Sequence, residues 1–217
     1  MTVVESAGSF TMPPLPGTLD GLWEVILDLA DNLPPMSWAL IGGQMVMAHG
    51  LAGGRTPTRA SQDVDILGNL TASSTALRTV VTAVRELGFE PEPSMDGKLL
   101  HRFVRTEDNP VVDVLAPAHR PPGWKPTTVQ PLQTIQIAGG NQALQRLQVI
   151  TVTKGGHTSD VPVPSVLGSL ILKAAAYQVD SRDRERHAAD AAFLVSLITD
   201  PLDLAVQLKG SDRKRLR

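Results

Sequence analysis

Two aspartates two positions apart, Asp63 and Asp65, interrupt the stretch RASQDVDIL at 59–67, which otherwise runs into the apolar Ile66 and Leu67. In a strand, residues two apart project to the same face, about 6.6 Å apart along the chain. The two carboxylates then point together, and Val64 and Ile66 face the other side, where they can anchor the strand in a core. Ionised side chains at a half-buried sheet position are costly unless something positive neutralises them. A divalent cation does this, and hard carboxylate oxygens suit Mg²⁺, which keeps waters and also binds substrate phosphates. Asp113 repeats the pattern as the single acid of VVDVL. Three carboxylates on neighbouring strands can hold two ions about 4 Å apart, which positions the attacking and leaving oxygens of phosphoryl or nucleotidyl transfer. The plain alternative is acids at strand ends, facing solvent.

The elements that must carry these acids are legible as hydrophobic periods. From Thr18, a plausible N-cap, Leu22, Ile26, Leu27 and Leu29 recur at near-helical spacing until NLPP at 32–35. A short strand, SWALI, follows, and Gly42-Gly43 separates it from QMVMAHGL, the start of a second helix, with Met45 and Met47 read as core residues. A strand-to-helix turn of this kind aims backbone N–H groups outward. AGGRTPTRA at 52–60 has loop composition, SQDVDILG is the acid-bearing strand, and TASSTALRTVVTAVRELGF is a helix opened by Thr71 or Ser73. KLLHRFVR and PVVDVLAP, separated by TEDN, read as a hairpin.

Beyond a Pro-rich seam, HRPPGWKP at 119–126, TIQIA and LQVITVT are strand-like around GGNQ. A helix begins at about Pro164, and a second, RERHAADAAFLVSLI, follows the polar bend DSRD at 180–183. The organisation expected is a flexible Gly/Pro/Ser-rich arm (1–18), a mixed α/β unit (19–126) and a C-terminal lobe (127–217) with a strand hairpin, a helical hairpin and a basic tail.

Composition narrows the classes. With 42% hydrophobic and 19% charged residues over 217, the chain can build a substantial core. It has no cysteine, so a disulfide framework and a thiolate metal site are excluded, and its five histidines form no H-x-x-x-H pair for zinc. No apolar run approaches the roughly 20 residues that span a bilayer, and no leader pattern is visible. The expectation is a cytoplasmic protein without a membrane partner. GKLLH at 97–101 lacks the glycine and hydroxyl residue of a phosphate-binding P-loop, with Glu92 and Leu99 at those positions. A net charge of −2 does not mark a nucleic-acid binder, yet KGSDRKRLR at the end is cationic. It is either a solvated, frayed end or, with Arg182, Arg184 and Arg186, a basic face for RNA whose binding would be salt-sensitive.

IGGQMVMAHGL, RASQDVDIL and VVDVL, taken in this order, resemble the DNA polymerase β-like nucleotidyltransferase superfamily. Arg59-x-Ser61-x-Asp63-x-Asp65, with Lys173 and RERHAAD at 184–190, is similar to the AbiEii/MenT-type toxins of bacterial toxin–antitoxin systems. The resemblance implies an α+β fold: a polymerase β-like core of mixed sheet flanked by helices at 19–126, with a C-terminal strand hairpin and helical lobe. It implies that Gly42 and Gly43 line a nucleoside triphosphate, with Arg59 and Ser61 beside it. Asp63 and Asp65 would bind Mg²⁺ with Asp113 as third ligand, and Lys173 and Asp190 would complete the site. It implies transfer of a nucleotide to the 3′ end of tRNA, and a cognate antitoxin that can silence the enzyme by phosphorylating Ser61. A phosphate there, two residues before Asp63, would add about −2 charge where metal and triphosphate enter.

Lys173 and Asp190 stand 17 residues apart, roughly 25 Å on one straight helix. A bend at DSRD would bring both to similar heights on a helical hairpin, either to serve the site or as a plain cross-helix ion pair. Two positions depart from the family pattern: Gln44 stands where a small hydroxyl residue is common, and Arg186-His187 where an Arg-Asp pair is common, His187 reading as a surface residue. A small-molecule acceptor such as an aminoglycoside, a protein acceptor, and a non-catalytic NTP-binding protein are the alternatives.

Overall fold

A computed structural model describes residues 5–57, 59, 61–107, 109–118 and 125–217. Residues 1–4 of the expected arm and 119–124 of the Pro-rich seam lie outside the described residues. The chain begins with β1 (Ser6–Thr11), α1 (Gly17–Asn32), β2 (Trp38–Ile41), α2 (Gly42–Ala52), β3 (Asp63–Gly68) and α3 (Ala76–Glu86). It continues with β4 (Glu90–Glu92), β5 (Arg102–Val104), β6 (Val111–Pro117), β7 (Thr127–Val129), β8 (Leu132–Gln133), β9 (Gln136–Ile137) and α4 (Gly140–Leu144). The last part is β10 (Leu147–Lys154), β11 (His157–Pro164), α5 (Val166–Val179), α6 (Arg184–Ser196), α7 (Pro201–Val206) and α8 (Asp212–Arg215).

The architecture is mixed α+β, as expected. The main sheet has the order β2-β3-β6-β5-β4, with β9 added beside β6. β3 runs antiparallel to β2 and parallel to β6, and β5 returns antiparallel to β6 as the hairpin reading required. Helices cover this sheet through the apolar stripes seen in the sequence: Leu22, Ile26, Leu27 and Leu29 of α1 and Leu77, Val80, Val81 and Val84 of α3 are buried. Met45 and Met47 of α2 lie in the same core. α3 begins later than Thr71 or Ser73, because the Asn69 side chain accepts from the backbone of Thr71 and Ala72 and holds 70–75 in turns. One hydrophobic cluster joins Val64 and Phe103 with Ile150 and Val161, across residue 126. Among the described residues no helix is long and apolar enough to cross a membrane.

Two expectations about the flanking segments are corrected. Residues 6–11 are not a loose arm: β1 runs parallel to β10 in a second sheet, β1-β10-β11. The Gly content that suggests looseness serves the strand, since Gly8 takes φ +117° where the register shifts between Ser6 and Gly8. The C-terminal strand hairpin is formed by LQVITVT and HTSDVPVP, with Gly155 and Gly156 supplying the positive-φ turn between β10 and β11. GGNQ opens α4 and β9 pairs with β6. The cationic end is not frayed: Asp212 is fully buried against Arg146, and α8 forms around it.

Phe10 of β1 packs edge-on against the buried Trp23, ring centroids 5.9 Å apart. F10A should therefore destabilise the fold by about 2 kcal/mol, less than for a fully buried phenylalanine, and lower Tm by about 5 °C. An unchanged melting curve would show that the strand contributes nothing.

Candidate active site

The sheet register places a row of charge across four strands. Ile41 of β2 stands opposite Asp65 of β3, Asp65 opposite Asp113 of β6, Asp113 opposite Arg102 of β5, and Arg102 opposite Glu92 of β4. Residues in register across adjacent strands share a face. Asp63, two residues before Asp65, joins them, and ligand oxygens of Asp63, Asp65 and Asp113 all lie within 4.8 Å of one another. The three acids suggested by spacing are therefore brought together.

Packing of α2 against this edge explains the Gly42-Gly43 pair locally. A Cβ on Gly42 would sit 1.8 Å from Asp65 Oδ2, and the residue has φ +70°, which favours glycine. A Cβ on Gly43 would lie 2.4 Å from the Ser61 Cβ. The start of α2 thus rests on the acid-bearing strand, and any side chain there would displace Asp65 or Ser61. Ser61 is itself buried and donates to Asp63 Oδ1 at 2.5 Å. Gln44, where a small hydroxyl residue is common, is fully buried and donates through Nε2 to the Ser61 carbonyl at 2.9 Å. It ties the helix start to the segment that leads into β3.

The charged groups sort into two ion-paired sets. Arg102 meets Asp113 with two parallel bonds, Nε to Oδ1 at 3.0 Å and Nη2 to Oδ2 at 2.9 Å. On the other side, Asp183 caps α6 after the bend at 180–183, and the α5–α6 hairpin brings Lys173 Nζ within 2.7 Å of Asp190 Oδ2. Arg59, from the loop before β3, binds the same carboxylate through Nε and Nη2, each at 3.1 Å. Burial works to raise the Asp190 pKa, but the bonds from Arg59 and Lys173 outweigh it and hold the group below the usual carboxylate range. Asp65 differs: burial first, then repulsion from Asp63 and Asp113, push it up to about 7 against the pull of Lys173 and Arg186. It is the strained carboxylate of the cluster.

An open cleft faces the cluster, lined by Arg59, Ser61, Asp63, Arg102 and Arg186 among others. Two of these guanidinium groups lie outside the sequence reading of the site. Arg102 was accessible to it: a four-residue TEDN loop between the hairpin strands sets Arg105 beside Pro110, and counting back places Arg102 opposite Asp113. Arg186, which the sequence places in an RNA-facing row and at a departure from the family pattern, pairs with Asp180 and Asp183 and acts at a distance on Asp65, and no periodicity reveals that. His187 is corrected from surface to buried; its Nε2 meets Asp180 Oδ2 at 3.1 Å because α6 folds back on the bend.

No protein-family model matches the chain, and no curated protein does. Among solved structures, the crystal structure of an antigenic nucleotidyltransferase-like protein from Paracoccidioides brasiliensis is similar, at 18% identity and a TM-score of 0.49, over 94% of this chain and 88% of that one. A likeness of that size assigns no residue a role, so the chemistry rests on the side chains themselves.

The raised Asp65 pKa has a stability consequence in protein stripped of divalent ions. Between about 4 and about 7 the unfolded chain has lost the Asp65 proton and the folded chain retains it, so this group's contribution falls as pH rises through that window. His49 and His187, both lowered chiefly by burial, contribute in the opposite direction up to their ordinary value of 6.5. The difference between wild type and D65N isolates the aspartate. D65N should be the more stable protein by a few kcal/mol at pH 8 in urea denaturation, the gap closing towards pH 4. Parallel pH profiles would contradict the assigned strain.

Proposed function

We propose that the protein is a cytoplasmic, Mg²⁺-dependent nucleotidyltransferase that moves a nucleoside monophosphate from an NTP to an acceptor hydroxyl, and that the acceptor is the 3′ end of tRNA. The observation that carries this reading is the convergence of Asp63, Asp65 and Asp113 within 4.8 Å beside a helix start that only glycine fits at Gly42 and Gly43.

The residues fit a divalent cation. Asp65 is pushed up to about 7 by burial and by its two acidic neighbours, the condition that a cation relieves. Asp63 and Asp65 would hold the ion, with Asp113 as the third ligand, since oxygens of all three lie within 4.8 Å of one another. When bound, Mg²⁺ would supply charge neutralisation at the phosphates and favour loss of the acceptor hydroxyl's proton.

The chain's own groups supply the rest. Gly42 and Gly43, at the N-terminal end of α2, offer backbone N–H groups and the positive end of the helix dipole to a triphosphate. Lys173, oriented by Asp190, and Arg59, bound to the same carboxylate, bring positive charge towards the leaving pyrophosphate. Arg182 in the bend and Arg184 and Arg186 in the first turn of α6 give an acceptor RNA a basic approach. The acceptor hydroxyl attacks the α-phosphate, the bond to the bridging oxygen breaks, and pyrophosphate leaves.

In this reading the protein acts as a toxin that blocks aminoacylation and is held in check by a cognate antitoxin, which can act as a kinase on Ser61. Ser61 donates to Asp63 and lies against Gly43, so a phosphate there would repel Asp63 and separate α2 from the strand. Loss of transfer in the phosphorylated protein is the outcome expected.

Purified protein incubated with each labelled NTP in turn and total tRNA should label the RNA, and D63A or D65A should reduce the rate by about 10²-fold or more. Labelling of an aminoglycoside or a protein instead would move the acceptor but keep the reaction. Variants that transfer at the wild-type rate would remove the assignment.

A further inference from the structure

The Arg102–Asp113 pair has a feature that ordinary strand ion pairs lack: one partner belongs to the acidic cluster and the other is free to leave it. Asp113 is fixed, with a side chain only 10% exposed in the middle of a central strand, whereas the Arg102 side chain is 41% exposed on β5. Both Asp113 oxygens carry an Arg102 donor, while oxygens of Asp63 and Asp65 lie within 4.8 Å of Asp113. Among the described residues Arg102 is thus the one cation ion-paired with a member of the cluster, Asp113; Lys173 and Arg59 are bound to Asp190 instead.

Accordingly, we propose that Arg102 is a built-in place-holder for a divalent cation: it neutralises Asp113 in the metal-free protein and must release that carboxylate before the cluster takes its full complement of metal. This rests on the metal-dependent reading above and adds a positioning residue to it.

Release is both required and feasible. A carboxylate that already accepts two charge-assisted bonds has less to offer an incoming cation, and a fixed positive group repels that cation. Arg102 also has somewhere to go. Glu92 stands beside it in the next register position of β4 and already contributes to keeping it protonated, and the side chain lines the open cleft towards Arg59 and Arg186. In the cleft it meets whatever phosphate the site binds. Nucleotide that accepts Arg102 frees Asp113, so nucleotide and divalent cation strengthen each other's binding through this one side chain.

The test uses the full-length protein stripped of metal, with Mn²⁺ as the probe and free Mn²⁺ measured by electron paramagnetic resonance. R102Q should bind Mn²⁺ about threefold more tightly than wild type in the absence of nucleotide, the loss of a weak, half-exposed competitor. A non-hydrolysable NTP should tighten Mn²⁺ binding more in wild type than in R102Q. Equal or weaker Mn²⁺ affinity in R102Q would overturn the place-holder role. Absence of Mn²⁺ binding to wild type, or binding that D63N/D65N retains, would overturn the metal reading itself. Should R102Q fold poorly, the Arg102 Nε–H resonance of the wild-type protein gives the same answer. It should move away from its carboxylate-bound position on titration with Mg²⁺, and a resonance unchanged at saturation would contradict the proposal.

Discussion

The mutual repulsion of Asp63, Asp65 and Asp113 governs how the rest of this edge of the sheet is built, because neighbouring strands deliver the acids to one spot. At an effective dielectric of about 20, two full charges within 4.8 Å oppose each other by at least about 3 kcal/mol. Three positive groups act on that spot: Arg102 in contact with Asp113, and Lys173 and Arg186 at a distance from Asp65. Their compensation is incomplete at Asp65, which stays strained. A cluster of this kind is a poor stability device and a good receptor for positive charge.

The helical hairpin and the loop before β3 are coupled to that receptor through Asp190. One buried carboxylate receives Lys173 from α5 and Arg59 from the loop, so three separate segments share a single anionic anchor. Removing one member of a buried ionic set leaves its partners uncompensated, which is more costly than never having built the set. The same anchor keeps Lys173 close enough to Asp65 to act on its charge. Strand, loop and hairpin are therefore held in one arrangement with respect to the acids.

Much of this was legible in the chain because it follows from short-range periods. The alternation of Asp63 and Asp65 with Val64 and Ile66, the Gly42-Gly43 interruption and the bend at 180–183 each report a local geometry, and the side chains meet as that geometry requires. The glycines were legible for an incomplete reason: their immediate role is to let α2 rest on Asp65 and Ser61. What sequence could not yield is set by long-range partners. Gly and Ser near the start suggest a loose arm, and only the pairing of β1 with β10, some 140 residues on, makes it a strand. His187 and Asp212 of the cationic end are buried by a helix folding back or by segments far away in sequence, neither of which leaves a periodic trace.

Crystals soaked with Mn²⁺ and a non-hydrolysable NTP test most directly whether this edge of the sheet receives a cation and a triphosphate. Anomalous density within about 2.3 Å of Asp63 and Asp65 oxygens, with the triphosphate against the first turn of α2, is the result expected. Manganese elsewhere, or a nucleotide bound away from Gly42 and Gly43, would contradict it.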